Sequence, residues 1–369
     1  MEQKKKLYPF KLIPYTIHRA WGEERWDVAD MGIVDSVISD GWLEGNTLSD
    51  IMETYLERVV GEGTYNYYGR QFPILVKSID IKDRTPLQVH PDDEIAEQRY
   101  DALGKTELIY IISAEPGARL YLGFNRDVSA MELYERCLNG TVEEVLNEIT
   151  PHKGDCYIIK PGTVHCTSGS MKIAGIQESS DLGFTLYDWL SCGHEEIAED
   201  LSEAMDFIDY GKYSGEGAIR PEGHEIAEKL SECMQFQITK IKLSDALHIY
   251  TEKFESFIIY TCIEGEASIQ VPVKDADGKE KMESHILKKS ESILIPAETP
   301  DFFVVPVDRS TILLESTAGV LDDKDSYINP DTEPFLEDED YEGLEDEDYE
   351  RLEDEENDEG HHCCGHNHN

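Results

Sequence analysis

The sequence predicts a mainly β protein with two β-sandwich or barrel domains, a few helical insertions and an acidic C-terminal tail. Three observations point there. Short apolar runs bounded by Gly and Pro recur at close spacing over 70–190 and again over 234–320. Strand-like and helix-like runs do not alternate as in βαβ folds, and there is no P-loop or GxGxxG fingerprint. A polar, helix-like stretch over 191–233 separates the two blocks, and a chain of 369 residues has room for two domains.

Taken in order, residues 1–69 read as an N-terminal segment that packs on the first β-domain. Within it, Leu48, Ile51, Met52, Tyr55, Leu56 and Val59 fall at helical spacing, which predicts a helix over 48–60 capped by Asn46 or Thr47. The block 70–190 holds strand-like runs at 73–81, 107–112, 118–122 and 155–160, interrupted by a helical insertion over 129–148. Residues 191–233 read as a helical connector, and 234–320 as a second β-domain ending in a strand over 311–315. The last segment, 321–369, is expected to be disordered. From Asp331 to Gly360 it carries eighteen acidic residues against Arg351 alone, in a decaying repeat of period eight. One apolar and one aromatic residue per repeat bury too little surface to offset chain entropy.

The formal charge is −45, of which about −28 lies outside that acidic stretch. Such a surface repels phosphate backbones and anionic lipid heads, which argues against nucleic-acid and membrane partners. No apolar run reaches the roughly 18–20 residues of a membrane span, and the N-terminus lacks a signal-peptide core. Six cysteines, Cys137, Cys156, Cys166, Cys192, Cys233 and Cys262, are scattered singly, as small buried hydrophobes in a reducing compartment would be. The expected location is the cytoplasm.

Four polar residues of the first block form a candidate metal set. Gln88 and His90 are two apart, so in a strand their side chains share a face. Glu107 opens an apolar run, and His165 follows a turn containing Pro161 and Gly162. Two imidazoles, a carboxylate and an amide oxygen suit zinc and, less selectively, manganese, iron or cobalt. Water or substrate would complete such a site. By spacing alone, the same four residues also fit separate structural roles.

The segments 73–80, 87–94, 104–107, 161–165 and 176–181, in this order, resemble type I mannose-6-phosphate isomerases. Gln88-Val89-His90-Pro91-Asp92 followed by Gly104-Lys105-Thr106-Glu107 is the most specific part. These enzymes are zinc-dependent members of the cupin superfamily, and the likeness is greatest to the short bacterial form with two cupin-like halves. The resemblance implies two cupin-like β-barrel or jelly-roll domains. It also implies one zinc per chain, held by Gln88, His90, Glu107 and His165, and a sugar-phosphate substrate. Mannose 6-phosphate and fructose 6-phosphate would exchange through a cis-enediol as a proton moves between C2 and C1. Lys105 is the candidate catalytic residue, shaping the field or shuttling the proton; on its own it reads equally as a solvated lysine.

The chain departs from the family pattern in one place. Leu186-Tyr187-Asp188 fixes the register, and Thr185 and Ser191 then stand where the family carries arginines. Two readings follow: an isomerase that finds its positive charge elsewhere, in Arg19, Arg70 or Arg84, or a metal-bound cupin that binds a sugar phosphate without turnover or with altered specificity. The second half has the cupin shape without its ligands, and His248 and His285 stand alone there. At the C-terminus, His361, His362, Cys363, Cys364, His366 and His368 form a run able to bind additional metal.

Overall fold

Long strands with both faces buried organise the protein. Ile74–Ile81 and Met171–Glu178 bury most residues of both faces, because one face looks into a barrel and the other onto a second sheet. The structure, a computed structural model, describes residues 5–190, 194–215, 218–219, 226–274, 278–308 and 310–319. The acidic repeat and the His/Cys run lie outside them.

The first β-domain pairs two antiparallel sheets. The six-stranded sheet runs in the order Cys156–Ile159, Glu107–Ala114, Met171–Glu178, Ile74–Ile81, Gly22–Val28, Tyr15–Arg19. The five-stranded sheet runs Phe184–Tyr187, Leu87–Val89, His165–Ser168, Arg119–Phe124, Leu146–Ile149. Alternate residues close the core between them: Ile109, Ile111 and Ile173 from one sheet meet Leu120 and Leu122 from the other. The second domain repeats the plan with five strands and four. Ile258, Tyr260 and Cys262 face Ile269, Leu287 and Phe302. The two larger sheets meet back to back, with Val76, Leu108 and Ile176 in one cluster with Ile238, Ile259 and Leu314. This is the mainly β, two-barrel cupin architecture that the sequence predicts.

Residues before 70 are woven into both halves. Tyr15–Arg19 and Gly22–Val28 extend the first sheet, while Leu48, Ile51, Met52, Val59 and Val60 fill the space between the two large sheets. Thr47 caps the helix Leu48–Tyr55 through a capping box with Asp50. Three local expectations need correction. The single helix over 48–60 is two, Leu48–Tyr55 and Glu57–Val60, because Leu56 takes a positive φ of 51°. The insertion over 129–148 is α-helical over Ala130–Asn139 and continues after Gly140 as a short 3-10 helix, Val142–Val145, before Leu146–Ile149 pairs as a strand with Arg119–Phe124. Across 191–233 the helix is His194–Ala204, whereas Ala227–Glu232 is a strand paired with Phe236–Leu243. There Glu228 and Leu230 alternate into the interior, and pairing overrides the helix preference of the run.

Candidate metal centre

The two sheets of the first barrel deliver the polar residues from opposite sides. In the five-stranded sheet, Gln88 is the register partner of His165 on one side and of Thr185 on the other. His90 follows directly after the Leu87–Val89 strand. Glu107 opens its strand in the six-stranded sheet, where its register partners are Ile159 and Gln177. As a result the ligand atoms of His90, Glu107 and His165 all lie within 4.8 Å of one another. The two imidazole rings are 4.6 Å apart, and His90 Nε2 is 3.9 Å from Glu107 Oε2.

The protonation states suit a metal. The Nδ1–H of His165 donates to Thr163 O at 2.9 Å, since a carbonyl only accepts, and this leaves the Nε2 lone pair free to coordinate. His90 turns Nε2 toward Glu107, while its Nδ1 lies on the other side of the ring against the Leu182–Gly183 backbone. Burial and the charges of Lys105 and Lys77 hold His90 well below the ordinary histidine range, and burial also lowers His165. Burial alone would raise Glu107, but Lys77 and Lys105 outweigh it and keep the carboxyl below its usual range. Two neutral imidazoles beside a carboxylate, with their ligand atoms converging within 4.8 Å, fit a divalent cation.

A lysine that sequence reasoning passes over holds this cluster together. Lys77 Nζ lies 2.9 Å from Glu107 Oε1 and 2.5 Å from Gln177 Oε1. Across the sheet from Lys77 is Gly175, where a Cβ would sit 2.9 Å from Lys77 Cε and 3.3 Å from Glu107 Oε1. The glycine makes room for the ion pair. Lys77 hides in the apolar run 73–81; a charged residue in the middle of such a run is the one signal that could have exposed it.

A cavity of about 480 Å³ opens over the cluster, lined by Gln88, Glu107, His165, Lys77 and Lys105 among others. His90 is 2% exposed and does not line it. Lys105 precedes the strand rather than belonging to it, yet it is buried on the cavity wall and makes no salt bridge among the described residues. Burial, helped by Lys77, pushes its ammonium down to about 8. Thr185 lines the same wall, and its backbone N–H donates to Asp200 Oδ2 at 2.8 Å. Of the three arginines singled out from the sequence, only Arg19 lines this cavity. Arg84 stacks on Trp189 at 3.5 Å and bonds Glu143, and Arg70 lines a separate cavity.

The second barrel offers nothing comparable among the described residues. His248 bonds Asp301 at 2.7 Å and stacks on Phe303, and half-buried His285 lies against Tyr8. Cys137, Cys156, Cys166 and Cys262 are buried free thiols. No described helix is long and apolar enough to cross a membrane.

Residues 19–108 match the family model described as phosphomannose isomerase type I, catalytic domain. The chain is 29% identical over 257 residues to mannose-6-phosphate isomerase ManA of Bacillus subtilis, covering 68% of this chain and 79% of that protein. It is 25% identical to the mannose-6-phosphate isomerase of Streptococcus mutans, covering 74% and 82%. Its fold is similar to the crystal structure of the mannose 6-phosphate isomerase from Bacillus subtilis, with a TM-score of 0.71, 24% identity and coverage of 84% and 99%. It is also similar to a mannose 6-phosphate isomerase bound with zinc and yttrium, with a TM-score of 0.67, 17% identity and coverage of 85% and 100%.

Proposed function

We propose that this chain, a member of the type I phosphomannose isomerase family, is a metal-dependent aldose–ketose isomerase that interconverts mannose 6-phosphate and fructose 6-phosphate. The observation that carries the reading is the convergence of His90, Glu107 and His165 in a cavity of the first barrel. Gln88, beside His165 in register, completes the proposed ligand set for one zinc per chain. When bound, that ion would supply the fixed positive charge that stabilises a developing oxyanion on the sugar.

The chain's own residues account for the rest of the chemistry. Lys77 keeps Glu107 ionised and fixes its orientation. The neutral imidazoles of His90 and His165 leave their lone pairs available. Lys105 is the proposed proton carrier between C2 and C1, on the wall of the cavity and without an ion-pair partner among the described residues to compete for it. With the ammonium near 8, both its forms are accessible around neutral pH, as general acid–base transfer requires. The low-dielectric surroundings strengthen each of these charges toward an enediolate. The buried thiols suit a reducing, cytoplasmic setting. The run at 361–368 is proposed, on composition, to hold additional metal.

The test is conversion in D2O by the zinc-loaded protein, followed by NMR. Fructose 6-phosphate carrying deuterium at C1 supports proton transfer through an enediol. Failure to convert the sugar overturns the function.

A further inference from the structure

Three cationic side chains, Lys77, Lys105 and Arg19, line the cavity. They are not equivalent. Lys77 and Lys105 are each 8% exposed, whereas the Arg19 side chain is 46% exposed, so Arg19 is the cation on the solvent-facing side. Lys77 is committed to Glu107 and Gln177. Arg19 Nε is 3.3 Å from Glu24 Oε1, and its two terminal nitrogens have no protein partner among the described residues. Thr185 brings no charge to the wall, while Glu24, Glu107, Asp181 and Asp188 bring four carboxylates.

Arg19 is also held in place. It ends the strand Tyr15–Arg19 and pairs with Gly22 across a two-residue turn of Ala20 and Trp21. The backbone N–H groups of Lys82 and Asp83 donate to Trp21 O at 2.8 and 3.1 Å. Gly22 has φ +153°, and a Cβ there would sit 2.2 Å from Asp80 O. Only glycine lets the tip press so closely on the Ile74–Ile81 strand and its end. The arginine is therefore presented by a pinned hairpin tip, and little order is lost when it engages a ligand.

We propose that Arg19 binds the phosphate group of the substrate. A phosphate dianion calls for paired, charged, planar donors, and the terminal nitrogens of Arg19 are the ones this cavity offers outside its buried centre. The sugar's reacting end then lies toward Lys105 and the histidine cluster, and its anionic end toward the hairpin. This assignment rests on the isomerase reading for the identity of the substrate.

The test uses the zinc-loaded full chain and the variants Arg19→Gln and Arg19→Lys, which keep the packing of the aliphatic stem. Binding of inorganic phosphate is measured by calorimetry, and KM is measured for mannose 6-phosphate and for free mannose. R19Q is expected to weaken phosphate binding at least tenfold and to raise KM for mannose 6-phosphate by a similar factor. R19K is expected to recover part of both, and the preference for mannose 6-phosphate over mannose falls in R19Q. Unchanged phosphate affinity, or an equal loss toward both sugars, overturns the assignment. A chain that fails to isomerise yet loses phosphate binding in R19Q keeps the anion site and sinks the isomerase reading. Isomerisation with an unaltered KM in R19Q does the reverse.

Discussion

Lys77 Nζ and Glu107 Oε1 are 2.9 Å apart, and neither side chain is as much as a tenth exposed. Removing one member of such a pair leaves a buried charge uncompensated, which costs about 3–5 kcal/mol. Lys77→Met should therefore unfold at a markedly lower temperature in the metal-free state. Zinc restores a positive charge beside Glu107, so the deficit should shrink when the protein is loaded. Thermal unfolding with and without zinc checks this; an equal deficit in both states contradicts a metal at Glu107.

Gln88 is the proposed ligand without a charge. Gln88→Ala should leave the fold intact and weaken zinc binding about ten- to a hundredfold, the usual scale for loss of a supporting contact at a metal site. Competition against a chromogenic chelator measures it. Unaltered affinity would remove Gln88 from the ligand set.

Glu178 is 2% exposed, accepts a hydrogen bond from the Thr106 N–H at 2.6 Å and faces Asp93. Burial, reinforced by Asp93, raises its carboxyl to about 8. A carboxyl that is raised on folding binds its proton more tightly in the folded state. Its contribution is full below the unfolded value near 4.5 and is lost as pH rises through about 8. Glu178→Gln mimics the protonated acid, with an oxygen for Thr106 and an amide for Asp93. Its stability relative to the unaltered chain should rise by on the order of 1–3 kcal/mol between pH 5 and 8, then level off. Denaturant titrations across that range check it, and a difference that does not vary with pH contradicts it.

Gly22→Ala should destabilise the protein by more than about 1 kcal/mol, because both the φ of +153° and the approach to Asp80 O exclude a Cβ. A denaturation midpoint unchanged by the substitution would show that the hairpin tip is free to move.

The two-barrel plan is legible because many short apolar runs recur at close spacing between Gly and Pro turns, too short to be buried helices. The metal cluster is legible too, since the Gln88–His90 spacing and the turn before His165 are local signals, and the structure brings His90, Glu107 and His165 together. Lys77 and Arg19 are not legible in the same way. Each acquires its meaning from partners remote in sequence: Glu107 and Gln177 for one, and the cavity wall for the other. The break at Leu56 escapes a periodicity argument because the apolar spacing continues straight through it. The strand Ala227–Glu232 escapes because its residues favour helix until Phe236–Leu243 offers an edge to pair with.

The His90, Glu107 and His165 cluster is expected to hold a metal that drives isomerisation. The most direct measurement is a coupled assay of mannose 6-phosphate conversion by the zinc-loaded protein, with zinc content determined alongside, for the unaltered chain and for His90→Ala. The first should hold about one zinc per chain and turn over. The second should keep a native circular-dichroism spectrum, hold little zinc and lose activity by about a hundredfold or more. Undiminished turnover in His90→Ala, or a zinc-loaded chain without activity, would contradict that expectation.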